Sequence, residues 1–145
     1  MPGNPPQGFS RITPYLLYED VPAALDWLSR CFGFAERLRF AGDDGTVNHA
    51  EMELMDGVIM LGNPGPDYRS PKRLGGVTQL VHVYVGDIDQ HCRSARSEGA
   101  TILRELADKE YGDRSYVAED LEGHQWMFGQ HVRDVSPKDW GAQQA

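Results

Sequence analysis

The feature that most restricts how this chain can fold is an internal duplication. The segment Pro14 to Gly33, PYLLYEDVPAALDWLSRCFG, and the segment Val81 to Gly99, VHVYVGDIDQHCRSARSEG, follow one order: a strand, an aspartate placed to cap a helix, an amphipathic helix and a glycine stop. Asp20 to Asp87 is a step of 67 positions, and Gly33 to Gly99 a step of 66. Carried onward, the step of 66 lays the turn Asp56-Gly57 on Glu122-Gly123, so that GVIMLG faces GHQWMFG. Each half therefore reads strand, helix, three strands, and the expected fold is α+β, two tandem βαβββ modules with curved, mostly antiparallel sheets around a cavity.

The local chemistry supports that plan. Val81, Val83 and Val85 alternate with His82, Tyr84 and Gly86, which gives a strand one apolar face and one mixed face. Asp87 caps the helix that follows, with Gln90 three residues on, and Ile88, Cys92 and Ala95 share one helical side. In the first copy Asp20 is the cap, Pro22 sits in the first turn, and Val21, Ala24, Leu25, Leu28 and Phe32 form the apolar stripe. The predicted elements of the first half are strands at 11–18, 34–40, 47–54 and 58–62 and a helix at 21–32; Pro14 marks the first strand as an edge or a bulge. The second half is expected to supply strands at 78–85, 101–106, 115–119 and 124–129.

A chain of 145 residues, 40% of them hydrophobic, suits one domain. Its expected limits are 11–132, with modules at 11–62 and 77–132, a disordered arm at 1–10 and a polar tail at 133–145 where Trp140 could dock. The Pro- and Gly-rich segment 63–76, NPGPDYRSPKRLGG, joins the halves and could also act as a lid. A net charge of −8 argues against nucleic acid or an anionic membrane surface as partner. No apolar run approaches membrane-spanning length, and the first residues lack the apolar core of a signal peptide. Cys31 and Cys92 show no metal-type spacing and read as buried thiols, which makes the cytoplasm the expected location.

The strand faces carry the functional signal. The apolar stripes (Val81, Val83 and Val85; Ile59 and Leu61; Ala50, Met52 and Leu54; Trp126 and Phe128) should meet the helices. The opposite stripes are mixed: Thr13, Tyr15 and Leu17; His49, Glu51 and Glu53; Val58 and Met60; Leu80, His82 and Tyr84; Gln125 and Met127. Curled inward, they would line a largely apolar pocket for a small molecule; left open, they would be the wet side of an antiparallel sheet.

The motifs YLLYEDVPAALDWLSRCFGF, SPKRLGG, VHVYVGDID, SEGA, YGDRS and DLEGHQWMFG together resemble the vicinal oxygen chelate superfamily, which includes glyoxalase I, extradiol dioxygenases and bleomycin-resistance proteins; the wording is nearest to PhnB-like members. The resemblance spans about 11–132 and implies a homodimer. Metal-dependent members place His, Glu or Gln on the first and last strand of each half. Here those positions fall on Thr13, Met60, Leu80 and Met127, none a usual ligand of a hard or borderline divalent ion. The implied function is metal-independent binding of a small, largely apolar or aromatic molecule, with no cofactor and no catalytic residue, lined by Thr13, Tyr15, Met60, Leu80, His82, Tyr84, Gln125 and Met127. The alternatives are a metal-dependent lyase, isomerase or dioxygenase, with a displaced site at His49, Glu51 and His82, and a protein whose pocket is vestigial and whose role is association. Arg114 is expected to pair with Asp113 or Glu119, or to steer an anionic ligand. No serine elbow or phosphate-binding loop occurs.

Overall fold

A computed structural model describes all 145 residues. The first module is β1 (Tyr15–Leu17), α1 (Val21–Phe32), β2 (Ala35–Ala41), β3 (Val47–Leu54) and β4 (Gly57–Gly62). A four-residue helix, α2 (Pro71–Leu74), lies in the connection. The second module is β5 (Leu80–Tyr84), α3 (Ile88–Ser97), β6 (Thr101–Asp108), β7 (Asp113–Glu119) and β8 (Gln125–His131). The two βαβββ modules are thus present, each with a four-stranded sheet, ordered β1-β4-β3-β2 and β5-β8-β7-β6. In each sheet the first strand runs parallel to the last, and the remaining pairs are antiparallel. No strand pairing joins the sheets, so β1 and β5 are both open edges and neither sheet closes.

The helices form where the sequence places them. Asp20 accepts a hydrogen bond from the Ala23 N–H and Asp87 one from the Gln90 N–H, satisfying donors that a helix start leaves free. Gly33 ends α1 at φ 85°, a left-handed conformation that a side chain would strain. The stripes of α1 and α3 meet the apolar sheet faces in one cluster that includes Leu28, Phe32, Met52, Leu61, Ile88, Trp126 and Phe128. Phe32 sits at its centre, with ring centroids 4.6 Å from Phe128, 4.9 Å from Trp27 and 5.7 Å from Trp126. Full burial of each such aromatic contributes roughly 1.5–3 kcal/mol. His91 ties the layers together: its Nε2 donates to the Phe32 carbonyl (2.9 Å) and its Nδ1 accepts from the Tyr116 hydroxyl (2.6 Å). Burial holds its pKa below the usual histidine range.

The halves are also clasped by the turn before β8. Asp120 is buried and accepts from the Tyr18 hydroxyl (2.7 Å), the Trp126 indole N–H (3.1 Å) and the backbone N–H groups of Glu122 and His124 (3.0 Å each). Glu122 reaches back to the start of α1, accepting from the N–H groups of Glu19 (2.7 Å) and Asp20 (2.9 Å). His124 Nε2 donates to the Leu17 carbonyl at 2.7 Å.

Several expectations shift. The first strand covers 15–17 rather than 11–18: only Tyr15 to Leu17 pair with β4, at Met60 to Gly62, and the chain before Pro14 leaves the ladder although β4 begins at Gly57. The segment 63–76 contains α2, anchored when Glu19 accepts from the Ser70 N–H and pairs with Arg73. Arg114 pairs with Asp89 and Asp108, not with Asp113 or Glu119, since β7 presents it beside α3 and its β6 neighbour. Trp140 docks on Tyr111, with ring centroids 5.5 Å apart. Phe9, in the arm, lies under the Arg37 guanidinium at 4.9 Å. Cys31 and Cys92 are buried and unbridged.

Candidate functional site

Burial of the apolar stripes leaves the mixed stripes on the outer faces. On the first sheet, Tyr15 stands opposite Met60, and Met60 opposite Glu51; Gly62 stands opposite both Leu17 and His49. Gly62 carries no side chain, and Tyr15 uses the space: a Cβ at Gly62 would lie 2.7 Å from Tyr15 Cε1. The phenol so placed contacts His49 Nδ1 at 2.8 Å, and His49 Nε2 contacts Glu51 Oε2 at 3.4 Å. Tyr15, His49 and Glu51 therefore form one polar chain across three strands. Leu38 and Phe40 of β2, both exposed, flank it from the far side.

The second sheet repeats the geometry with different chemistry. His82 stands opposite Met127, and Gly129 opposite both Tyr84 and Ser115. Here the ring over the glycine is His82, whose Nε2 would lie 3.3 Å from a Cβ at Gly129. Ser115 occupies the place of His49; its Oγ is buried and has no hydrogen-bond partner. Tyr84 packs edge-on against His82 at 4.7 Å and donates to Asp113 Oδ2 at 2.9 Å, which raises the phenol pKa. Asp113 Oδ1 also meets His131 Nδ1 at 2.9 Å, and Asp134 meets Nε2 at 2.7 Å. These carboxylates hold the His131 pKa above the usual range.

Two shallow depressions open on these faces. One of about 340 Å³ is lined by Tyr15, Leu17, Asn48, Gly62, Asn63 and Pro64. Another of about 270 Å³ lies where the start of β4 meets the open edge of β5, and includes Pro14, Phe34, Val58, His82 and Tyr84. Of the eight residues expected to line a pocket, Tyr15 belongs to the first depression and His82 and Tyr84 to the second, while Thr13, Met60, Leu80, Gln125 and Met127 line neither. One chain does not gather all eight around a single cavity. Thr13 precedes β1, its hydroxyl toward the Ser10 carbonyl, and Leu80 pairs with Gln125. The register couples Met60 to Tyr15 and Met127 to His82, two residues beyond Thr13 and Leu80.

The residues present do not fit the metal of the chelating relatives. With the register counted, the four positions hold a phenol, an imidazole and two thioethers, so only one of them, His82, carries a usual ligand of a borderline divalent ion. His49 and Glu51 lie on the first sheet and His82 on the second, and no three His, Cys, Asp or Glu side chains come together in a cluster able to hold an ion. Local sequence pattern did not single out the Tyr15–His49 contact, because it joins residues 34 positions apart. The available signal was the glycine at 62, which frees the space that the tyrosine fills. A further depression of about 500 Å³, lined by polar groups including Glu19, Asp44, Asn48, Asn63 and Tyr68, also went unmarked in the sequence.

Paired βαβββ modules with a mixed face on each sheet define a class, and the family comparison agrees. The model of the Glyoxalase/Bleomycin resistance protein/Dioxygenase superfamily matches residues 9–128, and the chain belongs to that superfamily. Among its relatives are the uncharacterized protein Mb0911c of Mycobacterium bovis, 33% identical over 130 residues covering 86% of each chain, and Rv0887c of Mycobacterium tuberculosis, also 33% identical, covering 86% of this chain and 76% of that one. Among solved structures, TioX from Micromonospora sp. ML1 is 35% identical with a TM-score of 0.68, covering 88% of this chain and 100% of TioX. A PhnB protein from Bacillus cereus shares the fold at 16% identity and a TM-score of 0.61, covering 83% of this chain and 99% of that one. No helix is long and apolar enough to cross a membrane.

Proposed function

We propose that the protein binds a small, largely apolar or aromatic molecule without a metal ion, on the mixed sheet faces that carry Tyr15, Met60, Leu80, His82, Tyr84 and Met127, with Thr13 and Gln125 at the margins. The observation that carries this reading is the pairing of half-exposed, largely apolar side chains (Tyr15 at 48%, Leu80 at 46%, Tyr84 at 59%) with strand positions that offer a divalent ion only one usual ligand, the His82 imidazole. Apolar surface of this kind, punctuated by a few polar groups, is the usual composition of a ligand site. The superfamily description, which includes a resistance protein beside enzymes, is compatible with sequestration as well as catalysis.

The site is completed by a second copy of the chain. Leu38, Phe40 and Leu103 extend the exposed apolar surface on the outer faces, and the open edges β1 and β5 lack partners. A homodimer covers such a face and converts shallow depressions into an enclosed pocket. The two unbridged cysteines accord with a cytoplasmic location.

The test is a thermal-shift screen of planar apolar compounds, run with and without a chelator. Binding to the native state raises Tm by mass action, so hits should shift Tm equally in both conditions. Stoichiometric Ni, Zn, Fe or Mn in protein purified without chelator, with responses abolished by chelation, would overturn this reading in favour of a metal-dependent lyase, isomerase or dioxygenase. Silence across the whole library would favour a role in association alone.

A further inference from the structure

Resting on the small-molecule reading above, we propose that Tyr15 is the specificity-determining hydrogen-bond acceptor of the depression on the first sheet, and that it selects a planar aromatic molecule bearing a hydroxyl or N–H donor. A carboxylate only accepts, so a neutral His49 bonded to Glu51 carries its proton on Nε2 and leaves Nδ1 as an acceptor. With His49 in that tautomer, the phenol at 2.8 Å donates to Nδ1. Its single proton is committed to His49, and what the phenolic oxygen of this half-exposed residue offers a guest is lone pairs.

The surroundings fix both the position and the shape of the guest. The missing side chain at Gly62 lets the Tyr15 ring lie across the sheet, and the buried glycine leaves the ring no room to drop further. Leu17 and Pro64 add apolar walls to the depression of about 340 Å³, which is large enough for a fused two-ring compound. A guest whose donor points at Tyr15 gains a hydrogen bond that an ether or hydrocarbon of the same shape lacks. His49 and Glu51 touch no guest; they are positioning residues that set which way the phenol proton faces.

Three probes of one shape test this on the full chain by isothermal titration: 2-naphthol, 2-methoxynaphthalene and naphthalene. One neutral hydrogen bond supports a preference of roughly fivefold for 2-naphthol over the ether. The preference should fall to near one in Tyr15→Phe. Glu51→Gln supplies a second variant: its amide can donate to Nε2, which frees the opposite tautomer, so the preference should collapse although the phenol is still present. Nitrogen-resonance assignment of His49 in the ligand-free protein should show the proton on Nε2. Equal binding of all three probes, unmoved by Tyr15→Phe, would overturn the role of Tyr15 while leaving the binding site intact. A wild-type preference for the ether, or a proton on Nδ1, would overturn it equally. Failure of all three probes to bind would remove both this inference and the reading beneath it.

Discussion

Replacing Asp120 by alanine should be among the most destabilising single changes in the molecule. Its carboxylate accepts four hydrogen bonds, from Tyr18, Trp126, Glu122 and His124, and Asp120 is only 2% exposed. Tyr18 comes from the first module and the other three donors from the second, so the loss is felt across the seam. Tyr18 and Trp126 are themselves fully buried, which denies their O–H and N–H groups access to water. Each buried donor left unsatisfied costs about 1–3 kcal/mol, and the two backbone N–H groups of the turn lose about 1 kcal/mol each. Relief from burying a charge returns part of this, leaving about 4 kcal/mol, comparable with breaking a buried ionic network. Against a total stability of roughly 5–15 kcal/mol, that is about a quarter or more. Urea unfolding followed by tryptophan fluorescence reads it as a fall in midpoint at constant slope. Combining Asp120→Ala with Tyr18→Phe should cost less than the two single changes added, because the phenylalanine removes one stranded donor. A loss below about 1.5 kcal/mol, or strict additivity, would refute the assignment of Asp120 as the shared acceptor.

Four further outcomes are expected. His91, whose folded pKa lies below its unfolded value, contributes stability present above the ordinary histidine range and lost as pH falls through it; His91→Phe should flatten that part of a Tm-against-pH curve. Glu19, drawn down to about 2 by hydrogen bonds from Ser70 and Arg73, should hold α2 in place until pH falls from the ordinary carboxylate range toward that value, which exchange of the Ser70 amide proton would report. Gly123→Ala places a Cβ 2.7 Å from the Lys72 backbone nitrogen at φ 94°, and should cost about 2–4 kcal/mol and loosen the contact between α2 and the turn, measurable by limited proteolysis at 70–76. In the dimer proposed above, Phe40→Asp on the exposed outer face should shift the sedimentation-equilibrium mass to that of a monomer without lowering far-ultraviolet helix content; an unchanged mass would remove Phe40 from the interface.

Much of the fold was legible in the sequence because its signals are local. Asp20, Asp87 and Gly33 bound the helices by backbone hydrogen bonding within a few residues, and α1 runs over the 21–32 span that its periodicity predicts. The alternation in VHVYV and HAEME assigns the two faces of β5 and β3 correctly, with Ala50 and Met52 inside and Glu51 turned out. Strand ends were less readable, since a strand's length depends on its neighbour: β8 extends to His131 because Asp113 is there to pair with it, whereas residues 11–13 leave the ladder although β4 begins at Gly57. Helix α2 has four residues, too few for a period to show. The candidate site was half visible. Pattern placed Tyr15, His82 and the two methionines on outward faces, but the union of Tyr15 with His49 depends on a register between distant strands, and the partners of Arg114 depend on how α3 lies beside β7.

The two halves share one scaffold yet differ at one matching spot: a tyrosine leaning on histidine in the first, a histidine beside a solitary serine in the second. Duplication has therefore supplied one scaffold twice with unlike chemistry at the matching strand positions, so the two outer faces are equivalent in backbone and inequivalent in the groups they present.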